Sequence, residues 1–241
     1  MAGMAAGTIN TVVGSGTLIT FPVLLAFGYG PVTANVSNTI GLVPGSISGA
    51  IGYRRELAGQ RSRVLRLSVF SGAGGIAGAV LLLELPDSAF EAIVPALIAL
   101  ALVLVVVGPR LSKAVAARRE EGARPDGGPA LWLGIVGTGV YGGYFGAAQG
   151  VLLTAILGIG LDEDLQRINA LKNVLAGLVN AVAAALFIFV ADVAWEPALL
   201  IAAGSIVGGQ LGAKVGRRLA PGTLRAVIIV VGLAAIAQLL F

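Results

Sequence analysis

The sequence predicts an all-α polytopic membrane protein made of two inverted-topology repeats, each a re-entrant helical hairpin followed by three transmembrane helices. Three observations carry this: an apolar composition, an internal duplication, and the placement of the basic residues. Hydrophobic residues make up 57% of the chain and charged residues only 12%, about half the charge of a soluble domain. Mean hydropathy is +0.94, and no charged residue occurs between Met1 and Tyr53. Apolar runs fall near 2–28, 32–53, 64–83, 89–109, 131–158, 168–190, 197–213 and 222–241. Most are long enough to cross a hydrocarbon core of about 30 Å.

The chain has no Cys and no His. Thiolate chemistry, disulfides and most zinc, copper or haem ligation are excluded with them, and so is the usual neutral-pH general base. No enzyme chemistry, cofactor or metal is expected. The pI of about 9.9 is read as basic loops facing an anionic leaflet, with the lipid bilayer and not nucleic acid as the partner.

A single long polar stretch, "RLSKAVAARREEGARPDGGP" (Arg110–Pro129), divides the chain. It gives a first repeat over 1–109, a linker over 110–129 and a second repeat over 130–241. The halves match in order. "GTLIT" at Gly16 pairs with "GVLLT" at Gly150, and "GGIAGA" (Gly74–Ala79) pairs with "GGQLGA" (Gly208–Ala213), both at an offset of 134. Asn38 pairs with Asn173, and Pro86 with Pro221, at 135. Such duplication is common in transporters.

The basic residues choose the topology. Were all eight segments to cross, the 16 Lys and Arg would divide ten to six between the faces. If the first and fifth segments enter and leave on one side, each half crosses three times and the second half is inverted. All 16 then share one face, as the positive-inside tendency requires. The other face keeps Glu84, Asp87, Glu91, Asp192 and Glu196. Arms of about ten residues rise roughly 15 Å, half the core. The location that follows is the cell membrane, multi-pass, with basic loops in the cytoplasm.

Each element then has a reason. Segments one and five are interrupted at "VVGSGT" and "FGAAQG" (Phe145–Gly150). Non-helical backbone survives at membrane depth only inside protein or beside a watery cavity, so these tips mark an interior site. The second arms, starting near Thr17 and Gly150, aim helix N-termini at it, which favours an anion. The small anionic substrate is assigned to Asn10, Gly14, Ser15, Gly16, Thr17, Gln149 and Gly150. The helices that follow open with "TANVSNT" and "INALKNV", adding Asn35, Ser37, Asn38, Thr39, Asn169, Lys172 and Asn173. Interhelical hydrogen bonding, at about 0.6 kcal/mol each, is the competing reading for the polar residues. Counting from Asp164 as N-cap, Lys172 lies about 12 Å along its helix. It either snorkels to the interface or holds the anion. The glycines of "GGIAGA" and "GGQLGA" are read as helix-packing surfaces.

At these residues the chain resembles the sulfite exporter TauE/SafE family. The resemblance rests on "GSGTLITFPVLLAFG", then "TANVSNTIGLVPGSISG", then the basic loop "YRRELAGQRSR", within two related halves. It implies transport of sulfite, sulfonates or organic acids. The second tip departs from the pattern, with Ala147 and Ala148 where glycines are expected. A secondary transporter is the leading reading. An anion channel and a non-transporting scaffold subunit remain open at this stage, and the sequence allows a homo-oligomer without requiring one.

Overall fold

The computed structural model describes residues 1–117 and 127–215, with Ile229, Val230, Leu233 and Ile236 beyond them. The described residues form nine helices and no strand: α1 (Ala2–Val12), α2 (Thr17–Ala26), α3 (Pro31–Gly52), α4 (Arg61–Glu84), α5 (Asp87–Ala117), α6 (Pro129–Tyr144), α7 (Gln149–Gly160), α8 (Leu165–Val190) and α9 (Trp195–Val215). Three of them, α4, the 87–108 part of α5, and α8, are long and apolar enough to cross a bilayer. The predicted eighth segment falls largely outside the described residues, as does 118–126 of the predicted linker, whose first residues, 110–117, continue α5.

The first and fifth apolar segments are both broken. α1 gives way to α2 through Val13–Gly16, and α6 to α7 through Phe145–Ala148. Gly14 at φ +83° and Gly146 at φ +76° make the turns, a conformation that costs glycine nothing extra. Pro31 and Pro129 each stand at the first position of a helix, where the missing N–H loses no bond.

Small residues set which helices touch. A Cβ on Gly7 of α1 would strike the Ser205 carbonyl of α9, and one on Gly139 of α6 would strike the Ser71 carbonyl of α4. A Cβ on Gly212 of α9 meets the Thr8 carbonyl, and one on Gly78 of α4 meets the Val140 carbonyl. Two hydrogen bonds repeat the theme: Ser205 Oγ donates to the Gly41 carbonyl (2.9 Å), and Ser71 Oγ to the Leu175 carbonyl (3.3 Å). Close backbone approach of this kind is how apolar helices associate when no hydrophobic drive separates them from lipid. The "GGIAGA" and "GGQLGA" glycines are packing surfaces, as the sequence predicts.

These paired contacts relate α4 to α9 and α3 to α8 at an offset of 134, but α1 to α6 at 132. The two extra residues of the second hairpin fall between Gly146 and Gly150, where the first has only Ser15 between Gly14 and Gly16. Gly3, Gly7 and Thr11 of α1 meet α9 in ascending order, so α1 runs parallel to α9. By the same test α6 runs parallel to α4.

One end of the bundle is basic. Arg54, Arg55 and Lys214 line a small cleft between the ends of α3 and α9. Beside it, Glu163 bridges Arg63 and Arg167, each at 2.6 Å. Burial pushes the Glu163 pKa up, but hydrogen bonds and charge from the two guanidiniums outweigh it and hold the carboxyl below its ordinary value. α4 leaves this end and α9 arrives at it, so α1 and α6 point in opposite senses.

The inserted residues leave a mark. Ala148 takes φ +59°, a left-handed conformation that costs a residue with a Cβ about 1–2 kcal/mol. Ala148→Gly is expected to raise stability by about 1 kcal/mol, the relief being partly offset by glycine's greater unfolded freedom. Thermal unfolding of the detergent-solubilised protein measures it, and an unchanged or lower midpoint contradicts the strain.

Candidate functional site

The breaks create a chemical need. The last four carbonyls of a helix have no partner within it, and here the ends of α1 and α6 are inside protein. Lys172 Nζ of α8 donates to the carbonyls of Asn10 (3.3 Å) and Thr11 (3.1 Å). Asn173 Nδ2 also donates to Thr11 O, at 3.2 Å. Across the molecule, Asn35 Nδ2 of α3 donates to the carbonyl of Tyr144, the last residue of α6 (3.0 Å). α8 therefore caps the end of α1, and α3 caps the end of α6.

Lys172 is only 1% exposed, so it does not snorkel. It makes no ion pair with a carboxylate among the described residues. Its charge is held instead by the negative end of α1, a favourable place for a cation. An ammonium has three donors, and the two carbonyls account for two. Its stem lies against Gly150, whose Cβ position is 3.1 Å from Lys172 Cδ.

The tips meet at this point. Gly150 N–H donates to the Gly14 carbonyl at 3.1 Å, and a Cβ on either glycine would overlap the other's Cα. Gly16 N–H donates to Asn10 Oδ1, and Asn10 Nδ2 to Ser46 Oγ, both at 3.4 Å, which stitches the two arms of the first hairpin to α3. Asn38 Nδ2 donates to Thr17 Oγ1 at 3.2 Å, and Thr20 Oγ1 donates to Asn38 Oδ1. α2 starts at Thr17, and its first-turn N–H groups are turned back on the tip: Leu18 donates to the Ser15 carbonyl, and Ile19 and Thr20 donate to the Gly16 carbonyl. Ser15 Oγ and Asn35 Oδ1 are buried there without hydrogen-bond partners, in residues 1% exposed. Such orphans are uncommon in folded proteins and call for an explanation.

The remaining predicted residues lie differently. Thr39 is buried one position beyond Asn38. Ser37 accepts from the Ala194 N–H (2.9 Å), which joins α3 to the start of α9. Gln149 turns back over Gly142 and donates to the Thr138 carbonyl at 3.1 Å. Asn169 is half-buried, one turn before Lys172. Sequence reasoning missed Thr20, although its spacing of three from Thr17 puts both hydroxyls on one helix face. It also missed Tyr144, whose buried hydroxyl has no partner. Phe145 packs edge to face with Phe21 and Phe90, and Phe90 with Tyr144, which holds the second tip against the first hairpin. To one side, a cavity of about 360 Å³ lies between α1, α2 and the start of α9, with Thr20 in its wall and Glu196 and Tyr29 beside it.

The likeness of this chain to known proteins covers nearly its whole length. The family model for "Sulfite exporter TauE/SafE" matches residues 1–239. The chain belongs to the sulfite exporter TauE/SafE family. It is 26% identical over 239 residues to "Probable membrane transporter protein YfcA" of Escherichia coli (strain K12), covering 99% of this chain and 87% of that one. It is 26% identical over 216 residues to a "Probable membrane transporter protein" of Haemophilus influenzae, covering 88% and 82%. A third relative, "Probable membrane transporter protein ORF9" of Sinorhizobium sp, is 24% identical over 244 residues, covering 100% and 90%. No solved structure matches the chain. Family membership makes this a multi-pass membrane transporter with a small substrate, and not an enzyme.

The tip contact gives a direct test. Gly14→Ala adds a Cβ where the Gly150 backbone stands, at a φ that L side chains rarely adopt. It is expected to cost at least about 2 kcal/mol and to abolish transport in vesicles. Gly150→Ala approaches the same contact from the other side and should do likewise. Wild-type flux and melting in both variants would show that the tips are not in contact.

Proposed function

We propose that this TauE/SafE protein is a secondary transporter for a small anion, a sulfur-containing one such as sulfite or a sulfonate, or an organic acid. The anion binds where the two hairpin tips meet. One observation carries this reading: a buried Lys172 with no carboxylate partner among the described residues, with a third donor to offer, at the junction of two broken helices. A buried cation without a counter-ion is costly, and a transported anion supplies the missing charge. Ser15 Oγ, buried without a partner, adds a donor, while Asn10, Gly14, Gly16, Thr17, Asn38 and Asn173 hold the tips in place around it.

In this reading the halves 1–109 and 130–241 are inverted repeats joined by a cytoplasmic linker over 110–129. The hairpins α1/α2 and α6/α7 re-enter from opposite leaflets of the cell membrane, and the basic end faces the cytoplasm. The opposed senses of α1 and α6 and the reciprocal capping support it. Backbone contact between the tips favours a carrier that rocks its halves over an open pore.

Lys172→Gln keeps an amide donor for the α1 carbonyls but removes the charge. In proteoliposomes showing saturable counterflow of sulfite or methanesulfonate, it should raise the half-saturating concentration at least tenfold, about 1.4 kcal/mol. An unchanged value would remove Lys172 from the site. Topology is testable because the chain has no Cys. In intact cells, a membrane-impermeant thiol reagent should label Asp87→Cys but reach Ala58→Cys only after permeabilisation. The reverse pattern would invert the assignment.

A further inference from the structure

Glu163 lies in the short link between α7 and α8, and its two oxygens serve different halves of the protein. Oε1 takes Arg63 Nη1 of α4 at 2.6 Å, and Oε2 takes Arg167 Nε of α8 at 2.6 Å. Arg167 Nη1 also donates to the Ala58 carbonyl in the α3–α4 loop, at 3.1 Å. The ion-paired side chains are partly open to solvent: 13% for Arg63, 29% for Arg167 and 18% for Glu163. Ions from the basic end can therefore reach the cluster, and neither arginine is sequestered in the core.

Two guanidiniums converging on one O–C–O unit are chemically a receptor for a small oxyanion, since arginine forks match planar and tetrahedral oxyanions alike. Arg167 is five residues before Lys172 on the same helix, about 7.5 Å along its axis. The two also stand about 140° apart around the helix, with Arg167 at the partly open basic end and Lys172 buried inside. The carboxylate already in place has the charge and oxygen pairing of the proposed cargo.

We propose that Arg63 and Arg167 form a second anion site at the basic mouth of the transporter, which Glu163 occupies as a tethered carboxylate until a free oxyanion displaces it. The proposal rests on the anion-transport reading above. Binding at the mouth and release of the bridge are one event: the incoming anion takes over the guanidiniums, and the Glu163 link between α4 and α8 opens. A tethered competitor raises the concentration at which cargo loads from this side, because its effective concentration is high.

The test uses the full chain in proteoliposomes, with sulfite presented to the basic side and uptake followed against concentration. Glu163→Gln removes the competing charge, so the half-saturating sulfite concentration should fall at least threefold. Glu163→Ala, which removes the carboxyl altogether, should give the same fall. Adding Arg167→Gln to Glu163→Gln should reverse it. A half-saturating concentration that stays constant or rises in both Glu163 variants, alongside a lower melting temperature, overturns the proposal and leaves a purely structural ion pair. Wild-type vesicles that move neither sulfite, methanesulfonate nor acetate overturn the transport reading itself, and this site with it. Normal wild-type flux with unchanged Glu163 variants sinks only the second site.

Discussion

A helix that stops inside a membrane protein leaves carbonyls that nothing in its own segment can satisfy, and each would cost several kcal/mol if left bare. Here those carbonyls are met from the opposite half of the chain: Lys172 and Asn173 at the end of α1, Asn35 at the end of α6. Neither half can therefore complete its own hairpin. The requirement couples distant segments where the two hairpin tips meet, and it explains why polar side chains follow each hairpin in the sequence.

Reciprocity between the halves is strict in the scaffold and relaxed at the junction. Ser71 and Ser205 make matching bonds, and α4 and α9 receive α6 and α1 through matching glycines. At the tips the match fails in informative ways. The contacts of α3 and α8 set an offset of 134, one less than the 135 by which the sequence pairs Asn38 with Asn173, so Lys172 stands opposite Asn38. Asn10 reaches forward from α1, but its counterpart at 132 is Gly142, over which Gln149 folds back. A charge is present on one side only, so the junction has a polarity that the scaffold lacks.

Glycine has two separate uses in this fold. In α1, α4, α6 and α9 it brings helix backbones together, and a side chain there would push two helices apart. At Gly14 and Gly150 it lets two tips touch main chain to main chain, and Gly14 also makes a turn at positive φ. The first use builds the frame, and the second places the Lys172 stem against Gly150. The Arg63–Glu163–Arg167 cluster closes the frame at the basic end, where water screens it and its contribution to stability is modest.

The apolar, all-helical character, the two interruptions at "VVGSGT" and "FGAAQG" and the N-cap at Asp164 were legible in the chain, because each is a local pattern of residue types. So was the division of the glycines into packing surfaces and tips. Pairings between distant segments were not legible. Nothing in "INALKNV" says that Lys172 bonds to the α1 carbonyls, or that Ser37 serves Ala194 and Gln149 serves Thr138. Composition and spacing determined a transporter with broken helices. Tertiary structure alone decided which side chains meet the broken ends, because a carbonyl's partner is set by where the other half's helix passes, and that is a property of packing in three dimensions.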